Sequence, residues 1–94
     1  MPDAFESEYS YNRLPIEKIR SRLHACLQGC RDAQTQRLIY KIEQAQTPAD
    51  LWLLRSDLYQ CIARGHSQSV AKERINGLIN LFQGWLPDRQ LVPI

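Results

Sequence analysis

No apolar run in this chain approaches the roughly 18 consecutive residues that cross a membrane, and its acidic, polar start lacks the order of a secretory leader. The chain therefore reads as soluble and cytoplasmic. Its three cysteines are an odd set with no sign of export, so they read as reduced thiols rather than a disulfide framework. The four glycines, at positions 29, 65, 77 and 84, lie too far apart to form a phosphate-cradling loop. No G-x-S-x-G elbow is present. No period-two alternation persists to mark a strand, and no repeat recurs at about 20–50 residues.

What is present suits one small folded domain. The 94 residues are 44% hydrophobic and 23% charged, and two tryptophans and four tyrosines argue against a disordered chain. A domain this short buries only about two thirds of its unfolded surface, so self-association is a natural supplement to its stability. The net charge of +2 is unevenly spread. Residues 1–12 carry Asp3, Glu6 and Glu8 with no Lys or Arg, whereas all 12 basic residues fall after them against 7 acids. That bias is mild compared with the clustered field of a dedicated nucleic-acid binder.

The expected organisation is an N-terminal tail over 1–12, a helical domain over 13–87 and a short C-terminal tail over 88–94. In the first tail, Phe5, Tyr9 and Tyr11 are set among acids. Leu14-Pro15 opens a first helix, with Ile16, Ile19, Leu23, Cys26, Leu27 and Cys30 on one side and Gly29 near its end. A second helix is expected from about Asp32 to Gln46, burying Thr35, Leu38, Ile39, Ile42 and Ala45. Thr47-Pro48-Ala49-Asp50 is the clearest start signal, with a capping Thr, a Pro at the first helical position and an acid behind it. The third helix then runs to about Arg64 and the fourth from Ser67 to Leu86, where Pro87 stops it. Four helices joined by short loops predict an all-α, compact four-helix bundle with antiparallel neighbours.

No constellation carries chemistry. Cys26 and Cys30 are one turn apart at helical spacing, with Cys61 on another core face, but a second close Cys pair is missing. His24 points about 200° away from Cys26, so all three cysteines read as core residues. His66 and Ser67 sit together in a turn, where Ser67 serves as a cap rather than a nucleophile. The carboxylates are scattered, mostly in first helical turns. The expectation is therefore no enzyme, no metal, no cofactor and no small-molecule substrate.

Surface pattern says more. At about 100° per residue, Ala71, Ile75, Leu78, Ile79, Phe82, Trp85 and Leu86 line one side of the fourth helix, and Val70, Gly77, Leu81 and Gly84 a second, broken by Arg74. On the third helix, Trp52, Tyr59 and Ala63 add a stripe beside the core face. Glycines inside a helix suit close approach by another helix, and aromatic anchors are enriched at interfaces. Trp52, Tyr59, Gly77, Leu81 and Gly84 are thus the candidate contacts with a protein partner, a second copy included as a homodimer. The competing pattern is basic: Arg20, Arg22, Arg31, Arg37 and Lys41 crowd the first two helices and suit phosphates. The Gly65 turn also invites a helix-turn-helix reading. However, Arg20 and Arg22 diverge by about 200°, so nucleic acid ranks behind protein.

Overall fold

The computed structural model of this protein describes residues 13–94, and local capping chemistry starts three of the five α-helices among them. The first helix, α1 (Ile16–Cys26), instead follows Pro15, whose carbonyl accepts from the amides of Lys18 and Ile19 at 3.0 and 3.3 Å. Helix α2 (Ala33–Gln44) begins where Asp32 accepts from the Thr35 amide at 2.8 Å. Helix α3 (Pro48–Leu53) begins where Thr47 accepts from the Asp50 amide at 3.1 Å. Helix α4 is Arg55–Gly65, and α5 (Gln68–Asn76) is capped by Ser67, which accepts from the Val70 amide at 3.1 Å. Short 3-10 turns follow at Ile79–Phe82 and Asp88–Gln90. The protein is all-α, and no strand forms among the described residues. The tail expected over 1–12, with Phe5, Tyr9 and Tyr11, lies outside them.

Three expected helices are corrected. The first stops at Cys26 and turns through Leu27–Gly29, so Cys30 is not on α1 and does not share a face with Cys26. Gly29 has φ +89°, a conformation that L side chains rarely adopt, and an added Cβ would meet the His66 ring at 2.8 Å. The third divides at Leu54, at φ −85° and ψ −1°, into α3 and α4. There Arg55 donates from its guanidinium to the Trp52 carbonyl at 3.1 Å and lies 4.2 Å over the Trp52 ring, holding the break. The fourth ends at Asn76, well short of Leu86. Beyond it Gln83 is extended and Gly84 has φ +86°.

That last correction has a packing cause. A straight helix buries one stripe, but residues 77–86 bear apolar groups all round. By bending, the segment sends Leu78, Leu81 and Phe82 into the protein's own core, where Phe82 is 1% exposed and meets Trp52 at 5.0 Å, edge to face. Ile19, Leu23, Ile42, Leu51, Leu58 and Ile62 are fully buried in the same core. Helix α1 packs on α2, α3 and α4, whereas α5 packs chiefly on α4. No helix among the described residues is long and apolar enough to cross a membrane.

Candidate interaction surface

Because α5 leans on α4 rather than on α1, the side of α1 facing the end of α5 is left partly open. Two shallow hollows lie along it. One, of about 430 Å³, is lined by Leu14, Lys18, Ser21, Arg22 and Leu81. The other, of about 330 Å³, shares Arg22 and continues past Ala25, Cys26 and Gln28, with Glu73, Gly77 and Leu78 opposite. Arg22 joins the two into a groove whose lining sets the apolar Leu14, Leu78 and Leu81 beside the cations Lys18, Arg22 and Arg74 and the acid Glu73. Lys18 and Arg22 are exposed and make no ion pair with a described residue. A separate apolar hollow of about 410 Å³ opens where Pro15 and Ile16 face Pro48, Ala49 and Trp85.

The expected interface residues scatter. Trp52 is 6% exposed and Leu81 8%, so both serve the protein's own core, with only an edge of Leu81 reaching the groove. Tyr59 is half-buried against the core. Gly77 is exposed and caps α5, and a Cβ there would meet only carbonyls of its own helix at 3.4 Å. No second helix approaches it. Gly84 is fixed by its positive φ, and its carbonyl accepts from Arg13 Nε at 2.9 Å. These five residues do not make one stripe, because the helix that would have carried three of them bends. Among the described residues, the large apolar side chains most open to solvent are Leu53, Tyr40, Val92 and Ile94, which helical spacing did not single out.

The basic set divides by use. Arg20 donates to the carbonyls of Ile42 and Glu43, the latter at 3.1 Å, and contacts Glu17 at 3.4 Å. It therefore ties α1 to the C-terminal end of α2, where carbonyls lack helical partners. Lys41 pairs with Asp57 at 3.6 Å, joining α2 to α4. Arg22, Arg31 and Arg37 are exposed without an ion-pair partner among the described residues. Arg37 and Lys41 share a hollow of about 200 Å³ with Asp57 and Cys61.

Several polar ties were not legible in advance. Arg74, read as a flaw in an apolar stripe, donates to Cys26 O at 2.9 Å and Gln28 O at 3.2 Å. His66 donates from Nε2 to Gln28 O at 2.9 Å. Both satisfy carbonyls where α1 ends. His24 Nε2 comes within 2.8 Å of Glu43 Oε1 but lacks hydrogen-bond alignment. Hydrogen bonds from Thr35, with Arg64 beside it, hold the Asp32 carboxyl below the usual range. Burial pushes the Cys26 and Cys30 thiols up. Among the described residues no three His, Cys, Asp or Glu gather as metal ligands.

No family model, no curated protein and no solved structure matches this chain.

Proposed function

We propose that this chain is a small helical interaction module that binds a protein partner along the groove beside α1. The observation that carries the reading is the pairing of the apolar Leu78 and the edge of Leu81 with the cations Lys18 and Arg22. That arrangement suits an acidic segment bearing apolar or aromatic side chains. Residues 1–12 have such a composition, with three acids, three aromatics and no Lys or Arg. A second copy of the chain therefore qualifies as the partner, and a homodimer is the simplest assembly. In this proposal the helices form an antiparallel bundle, four-helical when α3 and α4 count as one bent helix. It assumes a cytoplasmic setting and assigns the chain no catalysis.

Sedimentation of the full chain across concentration and salt tests it. Self-association that weakens with salt, and weakens further in the exposed double variant Lys18→Glu with Arg22→Glu, is the expected result. A monomer at high concentration, together with no binding of a synthetic peptide of residues 1–12, removes the self-association and the chosen occupant.

The guanidiniums of Arg22, Arg31 and Arg37, without an ion-pair partner among the described residues, support a second reading, a nucleic-acid contact, now without Arg20 and Lys41, which are engaged within the protein. A mobility shift at low ionic strength that disappears with added salt favours it.

A further inference from the structure

Cys30 and Cys61 meet across the loop that joins α1 to α2. The Cys30 thiol donates to the backbone carbonyl of Cys61 at 3.5 Å. It also sits against Gly65, one turn further along α4, where an added Cβ would lie 3.0 Å from the sulfur. The Cys30 side chain thus lies on the strip of α4 between residues 61 and 65. The Cys61 side chain leaves the same α4 residue whose carbonyl the Cys30 thiol reaches, and the two thiols interact electrostatically. Arg64 Nη2 lies 3.4 Å from Cys61 Sγ, and Arg64 is itself held by Asp32 at 3.2 Å. A fixed cation therefore stands beside one thiol of the pair. Cys26 stands apart, half-buried in the groove wall by Arg22 and Arg74.

We propose that Cys30 and Cys61 are a redox-modification site, closing to an intramolecular disulfide when the protein meets a peroxide. The half-buried Cys30 is the sulfur the oxidant reaches first. Its thiolate attacks one peroxide oxygen, the O–O bond breaks, and Cys30 becomes a sulfenic acid as hydroxide leaves and is protonated to water. The Cys61 sulfur, as its thiolate, then attacks the Cys30 sulfur, forming the S–S bond and releasing the sulfenic oxygen as a second water. Two thiols lose two protons and two electrons, and one peroxide takes them up to give two waters. Burial, which holds the Cys30 thiol protonated at neutral pH, makes the first step slow and confines the response to a sustained challenge. The product staples the α1–α2 loop to α4.

The test is hydrogen peroxide treatment of the folded full-length chain, alkylation of remaining thiols, non-reducing digestion and mass spectrometry. The expected product joins the Cys30 and Cys61 peptides with the loss of two hydrogens, leaves Cys26 alkylated and reverts with dithiothreitol. Cys26→Ser should retain the link, and Cys30→Ser should lose it. The wild-type digest is decisive even where a variant folds poorly. Cys30 and Cys61 both recovered unlinked, a bridge that includes Cys26, or a bridge between chains each overturns the proposal.

Discussion

Asp32 concentrates several interactions in one exposed carboxylate. It caps α2 through the Thr35 amide and hydroxyl, at 2.8 and 2.7 Å, and pairs with Arg64 on α4 at 3.2 Å. Because these contacts depress its folded pKa, the stabilisation is present above the ordinary 3.8 and is lost as pH falls through the lowered value. Asp32→Ala should lower the thermal midpoint at neutral pH, and the gap from wild type should shrink in melts below pH 3.8. The cysteines act in the opposite direction. With Cys26 and Cys30 raised above 9.0, the unfolded chain releases protons first, so alkaline pH above that value destabilises the fold. Glycines separate just as clearly. Gly29→Ala meets both a positive φ and the His66 ring, and should cost about 2 kcal/mol or more in denaturant titration. Gly77→Ala, at φ −69° and ψ −13°, should be tolerated or stabilise by about 0.5 kcal/mol. The reason first suggested for Gly77, a closely packed neighbour, predicts the reverse.

At the scale of elements, most starts were legible, and so was the end near Arg64 before Gly65, but the ends of the first and fourth helices were not. Thr47-Pro48 and Ser67 announce their helices because a cap is local chemistry, decided within four residues. Ends depend on distant partners. Helix α1 stops where Arg74 and His66 receive its terminal carbonyls, and neither residue is near it in sequence. The break at Leu54 carries no Gly or Pro to mark it and is held by Arg55 on Trp52. The apolar richness of residues 77–86 was legible, but its meaning was not. A periodicity plot assumes a straight axis, and here the axis bends so that one protomer consumes much of both stripes. Phe82→Ala tests that account. With Phe82 packed edge to face on Trp52, removal should cost about 3–5 kcal/mol in unfolding experiments. A side chain facing solvent from a continuous helix would cost little.

Across the whole molecule, the first described residues are fastened to nearly the last. Trp85 Nε1 donates to the Leu14 carbonyl at 2.8 Å, and the Arg13 guanidinium lies 4.7 Å over the Trp85 ring while its Nε reaches Gly84 O. This contact spans 71 positions and closes a longer loop than the α4–α5 pair, at a greater cost in chain entropy. This clasp also sets the proposed groove, since Leu14 lines one end and the chain leads into it through Arg13. Trp85→Phe keeps an aromatic ring under Arg13 and removes only the indole N–H. The expected loss is about 1 kcal/mol, confined to local opening of the clasp. Amide exchange discriminates a local clasp from a core contact: the amides of Lys18 and Ile19, bonded to Pro15 O, should exchange faster, while those of Leu58 and Ala71 keep their protection. Uniform acceleration across all four would place Trp85 in the central core and separate the groove's integrity from the joined ends.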